Sequence, residues 1–246
     1  MRHQQLSHPS RTVALLFLAL IAVGTVALKL PASNAEGISA PWLTALFTAV
    51  SAVCVTGLVV VDTGTYWSPL GQAVVMLLFQ LGGFGLMTAA ALLGLMVNRS
   101  LRLRTRLLTQ AETHSVGLGD VGGVAQVVLV VTATVESALA VWLALRLHLG
   151  HGMPLGEAAW SGLFHAVSAF NNAGFSLHGD SLTRYNRDTL VLLPVALGIV
   201  IGGIGFPVLQ DLRTRWRDPL HWSLHTKLTL TGSALLLVVG AGCLLV

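Results

Sequence analysis

Residues 46–58 read LFTAVSAVCVTGL, and residues 163–175 read LFHAVSAFNNAGF. Seven of the thirteen positions are identical, at a constant offset of 117 residues. A second echo follows each copy, LGGFG at 81–85 and IGGIG at 201–205. Self-similarity at a fixed interval marks a structural unit used more than once, and it must be recognised before a fold is assigned. Each unit holds a short apolar segment, a polar bend carrying a glycine, and then a long apolar stretch. In a membrane, that order suggests backbone lining a pore.

The composition places the units in lipid. Hydrophobic residues make up 54% of the 246, charged residues only 10%, and the mean hydropathy is +0.77. Soluble domains carry about 25% charged residues. A spanning helix needs about 20 mostly apolar residues, and five stretches qualify: roughly 12–30, 70–97, 121–147, 189–210 and 226–246. The expected fold is an all-α, multi-pass membrane protein.

A net charge of +4 and a pI near 9.7 hint at nucleic acid, but the distribution of charge argues against it. Arg2, Arg11, Arg99, Arg102, Arg104, Arg106, Arg213, Arg215, Arg217 and Lys227 fall on one side of the expected spans. Only Lys29, Arg146, Arg184 and Arg187 fall on the other. The positive-inside rule then puts the N-terminus in the cytoplasm. A basic cytoplasmic rim accounts for the pI with no nucleic-acid partner. Cys54 and Cys243 lie in apolar segments without a nearby partner, so neither a disulfide nor a metal site is expected.

The basic start and apolar core of residues 1–35 also resemble a signal peptide. The repeat decides otherwise, because shifting 124–147 back by 117 gives 7–30, the slot of the first apolar stretch. The expected organisation follows. A cytoplasmic tail at 1–11 precedes a first helix–pore-helix–helix repeat at 12–97. A cytoplasmic linker at 98–120 leads to the second repeat at 121–210. A further linker at 211–225 leads to 226–246, read as the first helix of an incomplete third repeat. The Arg-rich segment 99–116 reads as a headgroup-level connection that could also dock a soluble partner. The short segment 41–53 begins at Pro41 and 155–170 follows Pro154, residues suited to a helix start. As a helix, 41–53 rises about 20 Å, short of the roughly 30 Å hydrocarbon core. Each segment therefore enters and returns, and its bend must be buried in protein or line water.

The bends are Cys54-Val55-Thr56-Gly57 and Asn171-Asn172-Ala173-Gly174. Their side chains differ while the glycine and its frame persist, so the backbone is the expected working part. A run of carbonyl oxygens can replace the hydration shell of an ion such as K⁺ whatever the side chains are. Gly57 and Gly174 supply conformations barred to residues with a Cβ, although as isolated features they would read as helix caps. Asp62 and Asp180 are expected at the external mouth, where acidic groups concentrate cations, or else are ordinary loop charges. Gly82, Gly83, Gly85, Gly202, Gly203 and Gly205 fall mid-span and read as close helix packing or as a hinge or gate. Glu136 lies mid-span, which makes it a functional candidate, with no partner that the sequence names. His165 reads as a packed hydrogen-bonding residue. No nucleophile–base pair or paired catalytic carboxylates stand out, so no enzyme is expected.

The stretches AVSAVCVTGLVVVDTGTYWS, AVSAFNNAGFS and GGIGFPV resemble the membrane subunit of the Trk/Ktr/HKT superfamily of potassium transporters, most closely the Ktr type. The resemblance covers residues 12–246. It implies potassium-channel-like M1-P-M2 repeats, four around one pore, each giving a selectivity-filter glycine, here Gly57 and Gly174. It implies K⁺ as transported ion, favoured over Na⁺ because both positions are glycine, with a possible Na⁺ dependence and no bound cofactor. The implied partners are membrane lipid, a second membrane subunit in a homodimer and a cytosolic nucleotide-binding (KtrA-like) ring, at the bacterial plasma membrane. Two repeats and part of a third fall short of four, so the chain is expected to be half of a pore. Its function then reads as K⁺ uptake, or alternatively as that of a non-conducting fragment or assembly subunit.

Overall fold

The computed structural model describes residues 9–85, 121–215 and 217–244. The tail up to residue 8, the second half of the 70–97 span and the 98–120 linker with its arginines lie outside the described residues. Nine helices lie within them: α1 (Pro9–Lys29), α2 (Trp42–Val53), α3 (Thr63–Tyr66), α4 (Pro69–Gly85), α5 (Val121–His151), α6 (Leu155–Phe170), α7 (Thr189–Ile204), α8 (Phe206–Arg215) and α9 (Leu224–Leu244). Short 3₁₀ turns sit at Pro31–Ser33, Thr183–Tyr185 and Pro219–His221.

Among the described residues, Val128–His151 and Leu224–Cys243 are long and apolar enough to cross a membrane. The apolar part of α1, Val13–Lys29, is shorter than the roughly 20 residues of a typical span. The helix expected over 189–210 is instead two helices, α7 and α8, bent by 97°. The reason is local. Gly205 takes φ +87° and ψ 150°, a region open essentially to glycine alone, and Pro207 favours a helix start one residue inside α8. Apolar composition runs through the corner unbroken, so hydropathy does not reveal it.

In each unit a short helix lies beside a long one, α2 along α1 and α6 along α5. Proline starts both short helices with nearly the same backbone: Pro41 at φ −56°, ψ 143° and Pro154 at φ −52°, ψ 140°. Because lipid removes the hydrophobic drive between helices, small residues must allow close van der Waals contact. Gly162 of α6 does so, lying where a Cβ would come 2.8 Å from the Ala140 carbonyl oxygen and 2.7 Å from the Ala144 nitrogen of α5.

The two units share one core. Leu28, Ala45, Ala49, Val53 and Phe79 of the first pack with Phe164, Val167 and Phe175 of the second. Phe79 meets Phe164 edge-on at 5.6 Å between centroids and stacks on Phe175 at 5.8 Å. A polar bond joins the units as well, Trp160 Nε1 donating to Gln72 Oε1 at 2.7 Å.

At the end of the bundle beyond the bends, Asp188 ties α5 to α7. Its carboxylate caps α7 by accepting from Leu190 N at 3.0 Å. It also accepts from Arg146 Nε at 2.9 Å and pairs with His151 Nε2 at 2.7 Å. Burial pushes its pKa up, but the bonds to His151 and Arg146 outweigh that and hold the carboxyl below the usual carboxylate value. A depressed carboxylate stabilises the fold above its unfolded pKa and loses that contribution only as pH falls through the lower folded value. The tie is therefore intact at neutral pH. Asp188→Ala is expected to lower the thermal unfolding midpoint in detergent, losing about 1 kcal/mol for the cap and up to about 1 kcal/mol for the ion pair. Asp188→Asn keeps a capping side chain and loses less; equal losses for the two would show that the cap is irrelevant.

Candidate functional site

The bends repeat in three dimensions as they do in sequence. Cys54 caps α2 at φ −83°, ψ 2°, and Asn171 caps α6 at φ −77°, ψ −3°. Val55 follows with φ +54° and Asn172 with φ +56°; Gly57 then has φ +76° and Gly174 φ +74°. Thr56 and Ala173 stay at ordinary negative φ. The sign of φ thus alternates along both bends. Hydrogen bonds repeat as well: Thr56 N donates to Ser51 O and Ala173 N to Ser168 O, each at 2.8 Å. Valine is a poor choice for positive φ, because a β-branched side chain is an outlier there. The first bend holds this shape against its own side chain, and such strain persists only where the surroundings over-determine it.

The two bends touch. A Cβ on Gly57 would lie 2.6 Å from the Ala173 carbonyl oxygen and 3.0 Å from Gly174 Cα. A Cβ on Gly174 would lie 3.2 Å from Gly57 Cα. Both are fed by helix C-termini, which carry about half a negative charge from their unpaired carbonyls. The loops that follow the bends also meet, with Gly64 packed against the Leu177 carbonyl so closely that a Cβ would overlap it.

The mid-span glycines separate into different roles. A Cβ on Gly82 would overlap the Val53 carbonyl oxygen, and one on Gly202 the Phe170 carbonyl oxygen. These are the last residues of α2 and α6, so the helix after each bend passes directly beneath the end of its own short helix. A Cβ on Gly83 would overlap Asn171 Oδ1, and one on Gly85 would reach Phe17 at 3.0 Å. Gly203 has slack, with Asn172 Nδ2 at 3.7 Å, and Gly205 forms the α7–α8 corner.

A buried polar cluster lies at the start of the second bend. Glu136 Oε2 accepts from Gln80 Nε2 at 3.1 Å, and Glu136 Oε1 accepts from Asn171 Nδ2 at 3.1 Å. Asn171 Nδ2 also donates to Gln80 Oε1 at 2.6 Å and to Val167 O at 2.9 Å. His165 bridges Ser161 and Ser176, with Nε2 3.0 Å from Ser176 Oγ, and its ring stacks on His178 at 5.1 Å.

A family model described as "TrkH: Cation transport protein" matches residues 2–232. The chain belongs to the TrkH family. Among curated TrkH relatives, the Ktr system potassium uptake protein B of Bacillus subtilis is 42% identical over 228 residues, covering 93% of this chain and 50% of that protein. The protein of the same name from Vibrio alginolyticus is 36% identical over 231 residues, covering 94% and 50%. The potassium/sodium uptake protein NtpJ of Enterococcus hirae is 33% identical over 243 residues, covering 94% and 51%. The chain spans about half the length of the curated relatives it matches. It is thus an all-helical membrane protein of a cation-transport family.

Within this TrkH chain the acidic residues beyond the bends have local partners. Asp62 caps α3, accepting from Thr65 N at 2.8 Å and Thr65 Oγ1 at 2.7 Å. Asp180 pairs with Arg184 at 2.8 Å, and that guanidinium holds its carboxyl below the usual range. The charge of Asp180 is therefore paired locally, while Asp62 forms no ion pair among the described residues. Sequence reasoning flagged Glu136 but missed Gln80 and the side-chain role of Asn171. The available signal was two polar residues at membrane depth on neighbouring helices, Gln80 and Glu136, each lacking an apolar reason to be there.

Proposed function

We propose that this chain forms part of a K⁺ uptake pathway in which the backbone of Cys54–Gly57 and Asn171–Gly174 supplies carbonyl ligands to the passing ion. The observation that carries the reading is the alternating φ along two touching bends of different sequence. In a strand, successive carbonyls point to opposite sides. Alternating left- and right-handed residues turn successive peptide planes so that the carbonyls share a side, as a ring of ion ligands requires. Two helix C-termini aimed at the bends favour a cation there. The printed names of the relatives, potassium uptake proteins, support K⁺ as the ion. No catalytic role is assigned.

The remaining part of the pathway comes from further chain or from another subunit, since two bends enclose only one side of an ion. A homodimer, a cytosolic nucleotide-binding (KtrA-like) regulator, bacterial plasma-membrane placement and a cytoplasmic N-terminus complete the proposal, the last from the basic residues on one side. Asp62, which forms no ion pair among the described residues, is the vestibule residue of the proposal. The test is growth and K⁺ uptake of a bacterium lacking its own K⁺ transport, carrying the gene that encodes this chain. Uptake is expected with the wild type and absent with Gly57→Asp and Gly174→Asp together. Undiminished uptake by that double variant would remove the bends from the ion path.

A further inference from the structure

Ionisable groups at membrane depth are costly and face the bundle interior with specific partners. Glu136, midway along α5, is 8% exposed. Its two oxygens accept from two amide groups, one on α4 of the first unit and one at the start of the second bend. Both carboxyl oxygens are thus used as acceptors. Glu136 therefore dictates the orientation of both amides, turning Gln80 Nε2 toward itself and leaving Gln80 Oε1 to accept from Asn171. The residue held in this way directly precedes Asn172, whose positive φ begins the alternation.

The cluster belongs to one seam only. Shifting by 117 places Ala19 opposite Glu136 and Cys54 opposite Asn171. The 120-residue offset of the glycine clusters places Val200 opposite Gln80. None of those three could build it, and Cys54 is exposed. The first unit thus grips the second bend through a hydrogen-bonded contact that has no internal copy.

We infer that Glu136 is a positioning residue of the ion path, fixing the start of the second bend against the first unit through Asn171 and Gln80. This rests on the proposed role of the bends. Discrimination between ions depends on the placement of carbonyl ligands, so loosening one bend lowers the preference for K⁺ over Na⁺. In Glu136→Gln an amide NH₂ faces another NH₂ donor, and one hydrogen bond is lost.

The experiment has two readouts. In cells lacking other K⁺ uptake, Glu136→Gln is expected to lower the K⁺/Na⁺ uptake ratio about tenfold, the equivalent of one such bond. In the purified wild-type and variant proteins, hydrogen exchange followed by mass spectrometry is expected to speed up at residues 171–174 and not at 54–57. Gln80→Glu combined with Glu136→Gln moves the carboxyl group to α4, where it can accept from Asn171 and from the new amide on α5, and both readouts are expected to recover. Unchanged ratio and exchange in Glu136→Gln, or no recovery in the double variant, would overturn the inference. If the wild type moves no K⁺, the proposed function fails, and the exchange pattern still decides whether Glu136 positions the bend.

Discussion

Gly57→Ala is expected to reduce the initial rate of K⁺ uptake by roughly 100-fold, and Gly174→Ala by roughly tenfold, with the protein still present in the membrane. Both glycines have nearly the same positive φ, +76° and +74°, so both substitutions incur about 1–2 kcal/mol of left-handed strain. Their surroundings differ. At Gly57 the new methyl would meet backbone atoms of the other bend, the Ala173 carbonyl oxygen at 2.6 Å and Gly174 Cα at 3.0 Å. Backbone cannot swing aside as a side chain can, and forced repacking adds about 1–3 kcal/mol. At Gly174 the nearest atom is Gly57 Cα at 3.2 Å, a milder crowding that asks for a shift of only a few tenths of an ångström. Each 1.4 kcal/mol is about a factor of ten, which sets the ranking. The measurement is the initial rate in K⁺-depleted cells, normalised to membrane protein by immunoblot. Wild-type rates in Gly57→Ala, or a worse effect at Gly174 than at Gly57, would contradict the packing of one bend on the other.

The parts of the site that the sequence reveals are those that depend on local pattern. The segments expected at 41–53 and 155–170 appear as Trp42–Val53 and Leu155–Phe170, because a proline start and a glycine-bearing end bracket an apolar run. The parts it conceals depend on geometry between elements. Gln80, Glu136 and Asn171 lie up to 91 residues apart, and no spacing rule brings them together. The α7–α8 corner is concealed for a different reason. A single glycine dihedral decides it, while the residues on either side remain apolar. Asp62 and Asp180 show a third case. Their place beyond the bends follows from the sequence, but their effective charge depends on whether a helix cap or an arginine has already engaged them.

Among the glycines below the bends, Gly202→Ala and Gly82→Ala are expected to abolish recovery of folded protein, whereas Gly205→Ala is expected to fold. The difference follows from what each glycine avoids. Gly82 and Gly202 sit in ordinary helical backbone, and a methyl there would overlap the final carbonyl oxygen of α2 or α6. That oxygen belongs to the support of a bend and cannot retreat without moving it, so the cost is at or above the upper end of the roughly 1–3 kcal/mol of overpacking. Size-exclusion profiles and thermal unfolding in detergent would show it, and a monodisperse Gly202→Ala with wild-type stability would refute the contact. Gly205 has open space around it, with Pro207 Cδ at 3.9 Å as its nearest neighbour. Its requirement is purely conformational. Alanine at φ +87°, ψ 150° costs about 1–3 kcal/mol, which the chain can relieve by opening the corner, short of one straight helix because Pro207 has no N–H to continue it. Spin labels on Leu193→Cys and Arg215→Cys, in a cysteine-free background, would read the change. Across a 97° bend the two sites lie about 22 Å apart, and along one straight helix about 33 Å. An unchanged distance in Gly205→Ala would mean that neighbouring contacts, not this glycine, make the corner. A lengthened one would place the flexible point of the GGIG cluster at its last residue alone, leaving Gly82 and Gly202 as fixed contacts under the bends around which no gate could turn.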